Sequence, residues 1–182
     1  MKVAIVIGHS TYSRGARNKS SDVSEFEFNE KLAKDIKANW SEHNLSDEIV
    51  LVYRENGYSK LPYEINDLDV DLVISLHCNA FNTTASGCEM LYYHKSVKGK
   101  NIAKIFQDKL TDILENKDRG IKSKDSEDRG GHLLKATNAP CIIVEPFFID
   151  NDDDFLNATD DGGALVEGYC DAIDEALKYL KS

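Results

Sequence analysis

No stretch of this chain is long and apolar enough to span a lipid bilayer. The N-terminal residues do not read as a secretory leader either. Met1-Lys2-Val3-Ala4-Ile5-Val6-Ile7 offers an apolar run of only five residues before Gly8-His9, with no small-residue cleavage site behind it. The expectation is no membrane insertion, in a chain made in the cytoplasm or one whose leader has been trimmed. Basic residues are in deficit, 22 against 32 acidic, for a formal net charge of −10. That balance argues against non-specific nucleic-acid binding, which needs a positive surface. The four cysteines, Cys78, Cys88, Cys141 and Cys170, form no C-x-x-C pair and fall in apolar runs. Reduced, mostly buried thiols are expected. No strand-like run is followed by G-x-G-x-x-G or a P-loop, so a nucleotide-binding role has no motif to rest on. There is no internal repeat, no low-complexity linker and no H-E-x-x-H.

What remains is a folded chain: 41% hydrophobic and 30% charged residues over 182 positions suit one domain, 1–182, with its own core. Short runs rich in Val and Ile predict strands at Lys2–Ile7, Glu48–Tyr53, Asp71–Leu76, Glu89–Tyr93 and Cys141–Val144. Helical periodicity predicts Glu25–Trp40, Val97–Leu114 and Ala164–Leu180. Strands alternating with helices indicate an α/β fold, a three-layer αβα sandwich around a mostly parallel, twisted central sheet. The polar stretches Ser10–Ser24, Asn116–Gly131 and Asp150–Asp161 read as loops. The last lacks the D-x-D-x-D-G order of a calcium loop.

The odd polar residues fall at strand ends. Lys2–Ile7 runs into Gly8-His9, Asp71–Leu76 into His77-Cys78-Asn79, and Cys141–Val144 into Glu145-Pro146. In open α/β sheets the carboxyl ends of the strands are where ligands bind. If those strands are parallel and adjacent, His9, His77 and Glu145 converge on one crevice. Glu25 opens the first helix on the stripe of Phe28, Leu32 and Ile36, facing the sheet. A carboxylate there needs a cation to compensate for lost water. Two imidazoles and a buried carboxylate suit zinc and leave a fourth position open, as in catalytic zinc sites. Taken singly, a histidine after a strand is usually an ordinary hydrogen-bonded residue; it is the combination that points to a metal. His43 and His94 are read as surface histidines.

The ordered motifs make the chain similar to a known family. Ile5-Val6-Ile7-Gly8-His9, Glu25-Phe26-Glu27-Phe28-Asn29, Ser75-Leu76-His77-Cys78-Asn79 and Val144-Glu145-Pro146-Phe147-Phe148 resemble, in order, motifs of the zinc-dependent N-acetylmuramoyl-L-alanine amidases of the amidase-3 family. That family includes autolysins and phage endolysins. Two positions depart from its usual pattern: Ser10 and Pro146 stand where glycine is common. The resemblance implies one Zn²⁺ held by His9, Glu25 and His77, with Glu145 as catalytic acid/base. It also implies hydrolysis of the amide between the muramic lactyl group and the first L-alanine of the peptidoglycan stem peptide.

Asn79, Arg54, Arg119 and His132 are candidate substrate-binding residues, the arginines because guanidinium binds carboxylates bidentately. Peptidoglycan is the expected partner, and a monomer is expected. A phage lysin would pass from host cytoplasm to the wall; a trimmed autolysin domain would act at the wall after secretion. Two rivals stay open: a zinc peptidase cutting within the stem peptide, and a non-catalytic wall-binding module on the same fold.

Overall fold

The computed structural model describes residues 1–43, 46–160 and 162–182, without the side chain of His43. The reading of His43, and Asp161 at the end of the third polar stretch, therefore lie outside what is described. The strands are β1 (Lys2–Ile7), β2 (Arg17–Asn18), β3 (Val23–Ser24), β4 (Glu48–Val52), β5 (Leu72–Leu76), β6 (Cys88–Tyr93), β7 (Asp118–Lys124) and β8 (Cys141–Glu145). The helices are α1 (Glu25–His43), α2 (Leu61–Asn66), α3 (Val97–Leu114), α4 (Gly131–Ala136), α5 (Asp152–Thr159) and α6 (Ala164–Lys181).

Six strands form one sheet in the order β4-β1-β5-β8-β6-β7. β4, β1, β5 and β8 run parallel to one another, whereas β6 is antiparallel to β8 and parallel to β7. The reversal follows from the connections. No helix lies between β5 and β6, and without a crossover the chain returns in the opposite sense. α3 then supplies a crossover to β7, restoring a parallel pair.

Alternation along β1 serves both faces of the sheet. Val3, Ile5 and Ile7 pack with Leu32 and Ile36 of α1, Phe106 of α3 and Ile173 of α6. Ala4 and Val6 pack with Leu61 and Ile65 of α2 and Leu133 of α4. β5 is buried at all of its residues, as expected of a central strand covered on both sides. Each large aliphatic side chain so enclosed contributes about 1.5–3 kcal/mol. The three-layer, mostly parallel architecture is as the sequence predicts.

All three predicted loops contain regular structure. Asn116–Gly131 holds β7, an edge strand with mostly polar, half-exposed residues; its backbone pairing with β6 makes it a strand, and no apolar alternation announces it. Asp150–Asp161 holds α5, whose first turn is capped by the Asn151 side chain accepting from the Asp153 and Asp154 N–H groups. It is short, and only Phe155 and Ala158 of its apolar residues are buried. Within Ser10–Ser24, β2 and β3 form a small antiparallel hairpin. Cys78, Cys88 and Cys141 are buried, Cys170 is half-buried, and all four are free thiols.

Candidate metal centre

β1, β5 and β8 lie side by side and parallel. Their carboxyl ends therefore deliver His9, His77 and Glu145 to one edge of the sheet. The start of α1 brings in the fourth group. Ser24 Oγ accepts from the Glu27 N–H (3.3 Å), and Glu27 Oε2 accepts from the Ser24 N–H (3.0 Å). This reciprocal capping box fixes where the helix begins. Glu27 points outward to Arg14, and Glu25 turns inward, only 1% exposed.

The Glu25 carboxylate is enclosed by donors. The His77 Nδ1 lies 2.9 Å from Oε1 and the Cys78 N–H donates to the same oxygen at 3.0 Å. The Ala16 N–H donates to Oε2 at 3.3 Å. His9 Nε2 lies 3.0 Å from Oε2, but the alignment is not that of a hydrogen bond, and this buried nitrogen has no partner. Burial alone would raise the Glu25 pKa; the bond to His77 and the approach of His9 outweigh it and hold the carboxyl well below the usual carboxylate range.

The three donor atoms lie within 4.8 Å of one another. An orphaned imidazole nitrogen facing a carboxylate that is ionised despite burial is the donor set a divalent cation would satisfy. Two nitrogens and one oxygen are the ligand chemistry zinc accepts in open sites. A thiol nucleophile is a poor alternative. Burial, then the neighbouring Glu25, push the Cys78 thiol well above its ordinary pKa, and its Sγ is directed at Asn29.

Gly15 closes over this cluster with φ +77. A Cβ there would stand 2.6 Å from Glu25 Oε2 and 2.7 Å from His9 Nε2, in the space between the donors. Gly15→Ala is therefore expected to lower metal affinity at least tenfold and to cost about 1 kcal/mol of stability from the left-handed backbone. Competition with a fluorescent zinc chelator, alongside thermal melting, checks both. Unchanged affinity would show that the space is not needed.

Glu145 lies opposite Glu89 of β6 in the antiparallel register. Burial first, then the Glu89 and Glu25 carboxylates, push the Glu145 pKa up to about 7. A cavity of about 440 Å³ opens here, walled by His9, His77 and Glu145 at one end. Its apolar side is formed by Val6, Leu61, Leu91, Leu133 and Ile143, and Arg54, Tyr58 and Arg129 also line it.

The remaining predicted residues divide. Arg54 lines the cavity, with its guanidinium 6.0 Å from the Tyr58 ring centre. Arg119 does not line it. Its Nε donates to Glu89 Oε2 at 2.7 Å, and its guanidinium sits 4.9 Å from the Phe148 ring centre. Asn79 bridges to Phe148 through its backbone, and its Oδ1 accepts from the Ala80 N–H at 3.0 Å. His132 stands behind Tyr58, ring centres 5.9 Å apart, with Nε2 3.2 Å from the Ser59 carbonyl oxygen. His94 is partly exposed, 3.8 Å from Asp125. Gly15, Glu89, Tyr58 and Arg129 escape sequence reasoning. Gly15 and Arg129 sit in polar stretches, and the placement of Glu89 depends on a strand reversal the sequence does not announce.

A protein-family model described as N-acetylmuramoyl-L-alanine amidase matches residues 3–175. The N-acetylmuramoyl-L-alanine amidase LytC of Bacillus subtilis is 27% identical over 154 residues, covering 81% of this chain and 29% of LytC. This chain thus spans less than a third of that relative's length. Among solved structures, the N-acetylmuramoyl-L-alanine amidase from Clostridium difficile 630 superposes with a TM-score of 0.81 at 25% identity, covering 100% of this chain and 97% of that one. The catalytic domain of the CD27L endolysin gives 0.78 at 27% identity, covering 98% and 97%.

Proposed function

The chain belongs to the Amidase_3 family of N-acetylmuramoyl-L-alanine amidases, and from that premise we propose that residues 1–182 are one zinc-dependent catalytic domain. It hydrolyses the amide between the lactyl group of N-acetylmuramic acid and the first L-alanine of the stem peptide, and so degrades cell-wall peptidoglycan. The observation that carries this reading is the three-donor cluster of His9, Glu25 and His77, whose two histidines line one cavity together with the Glu145 carboxyl group.

His9, Glu25 and His77 would hold a single zinc ion, Glu25 contributing the negative charge and the two imidazoles the nitrogens. Zinc, when bound, supplies Lewis acidity, making water a nucleophile near neutral pH and withdrawing charge from an amide carbonyl. The protein supplies the proton traffic. Glu145 takes the proton of the attacking water onto its carboxylate. It then delivers that proton to the alanine nitrogen as the C–N bond breaks, since an unprotonated amine leaves poorly. A proton affinity near neutrality lets one carboxyl group serve both steps. The apolar side of the cavity keeps competing water away from the bond under attack.

The test combines metal content with product chemistry. Purified protein should carry about one zinc per chain. Digested peptidoglycan should release stem peptides with a free amino-terminal alanine, read by mass spectrometry after amine labelling. A chelator should stop the release, and zinc should restore it. New amino termini at other residues would instead indicate a peptidase acting within the stem. Binding to walls with no release would indicate a non-catalytic module.

A further inference from the structure

The chain has five arginines. Arg14, Arg17 and Arg119 each make an ion pair, with Glu27, Asp22 and Glu89 respectively. The other two, Arg54 and Arg129, have no ion-pair partner among the described residues, and both line the cavity that holds His9, His77 and Glu145. They are distant in the chain, Arg54 following β4 and Arg129 preceding α4, yet both lie near enough to act on the Tyr58 hydroxyl. Among the arginines of the described residues, the two without an ion pair are thus the two that line this cavity.

Glu127, Asp128 and Glu145 line the same cavity, but none of them forms an ion pair with either arginine. Asp128 Oδ2 accepts from the Asp125 N–H at 2.7 Å, and Glu127 Oε1 accepts from the Ser126 hydroxyl at 3.2 Å. Both contacts stay within the loop. Tyr58 is itself engaged, its hydroxyl accepting from the Leu133 N–H at 3.4 Å.

We propose that Arg54 and Arg129 form a carboxylate-binding subsite of the catalytic cavity, selecting stem peptides that carry a free carboxylate beyond the first alanine. This rests on the amidase reading. In the substrate, the lactyl carboxyl is consumed in the scissile amide, so a carboxylate in the cavity must come from the peptide side. Guanidinium is the side chain suited to carboxylates, and hydrogen bonds to a charged group beside apolar walls are worth more than those in open water. Two sources share this chemistry: the α-carboxylate of the second residue and the carboxylate that ends the peptide.

Four synthetic substrates separate them. N-acetylmuramoyl-L-Ala-γ-D-Glu-L-Lys is prepared with the second-residue α-position as acid or amide, and the terminal carboxyl as acid or amide. Wild-type protein should favour the acid over the amide at one of these positions by about 10- to 100-fold in kcat/KM. In Arg54→Gln and Arg129→Gln the acid-to-amide ratio should fall below about threefold, while Arg54→Lys and Arg129→Lys retain an intermediate preference. The ratio is internal to each variant, so partial loss of folded protein does not alter it. Equal cleavage of all four substrates by wild type, or a preference that survives both glutamine variants, overturns the subsite and leaves the amidase reading intact. No cleavage of any of the four by zinc-loaded wild type that releases peptide elsewhere in whole peptidoglycan overturns the amidase reading itself.

Discussion

Glu145→Gln should abolish peptide release and, in the same molecule, make the metal-free protein more stable at pH 8. The two effects share one cause. Glu145 is half-buried beside the Glu89 and Glu25 carboxylates, and its pKa is pushed from 4.5 up to about 7. A raised folded-state pKa means that folding disfavours the charged form. Its contribution to stability is whole below about pH 4.5 and is lost as pH rises through about 7. The gap between those values corresponds to roughly 3 kcal/mol at pH 8. Glutamine keeps the shape and carries no charge, so it escapes that penalty.

The metal-free variant should therefore melt several degrees higher than wild type at pH 8, about 2–4 °C for each kcal/mol regained. At pH 4.5 the two should melt together. Activity moves the other way, because glutamine neither takes the proton of water nor gives one to the leaving nitrogen. A fall of about 10²- to 10⁴-fold is the usual consequence of losing a general acid/base. Melting curves of chelator-treated protein at both pH values, with mass spectrometry of wall digests, make the measurement. Wild-type peptide release by the variant would remove Glu145 from the mechanism. Equal melting at pH 8 would show that its burial carries no strain.

Glu25→Ala should lower zinc affinity by at least about a thousandfold and take bound zinc from about one per chain to near zero. Two imidazoles without an anionic ligand are a weak site for a divalent ion, and even residues that only support ligands change affinity about 10- to 100-fold. Alanine also strips the Cys78 N–H and His77 Nδ1 of their shared acceptor, at about 1–3 kcal/mol for each buried group left unmet. Glu25→Gln separates the two consequences. It keeps an acceptor oxygen and nearly the same volume, so it should fold better than the alanine variant, yet it lacks the charge that balances the cation. Metal analysis after dialysis, with thermal melting of both variants, decides the matter. Full zinc occupancy in Glu25→Gln would mean that this carboxylate is not a ligand.

Much of this site is readable before any fold is known. His9, His77 and Glu145 each interrupt an apolar run at its carboxyl end, and Glu25 stands on a stripe that otherwise carries Phe28, Leu32 and Ile36. A charged or titratable group in such a place is costly unless something compensates it, so its presence is informative. The parts that stay hidden have no such contrast. β7 has no hydrophobic alternation, Gly15 is one glycine in a polar stretch, and Arg129 lies in a run of loop residues. Glu89 sits on a strand that is easily recognised, but its position opposite Glu145 comes from an antiparallel register.

Local sequence alone determined five of the six strands of the main sheet, the three long helices, and which four side chains would lose water at the sheet's edge. Hydrophobic periodicity and the cost of burying charge act over a few residues, and they leave their mark in the order of residue types. The neighbour relations were decided only in three dimensions: β1, β5 and β8 side by side, Glu89 facing Glu145, Gly15 over the metal donors, and two unpaired arginines meeting at one cavity. Those pairings join residues far apart in the chain, and strand order and register, set by the packing of the whole sheet, bring them together.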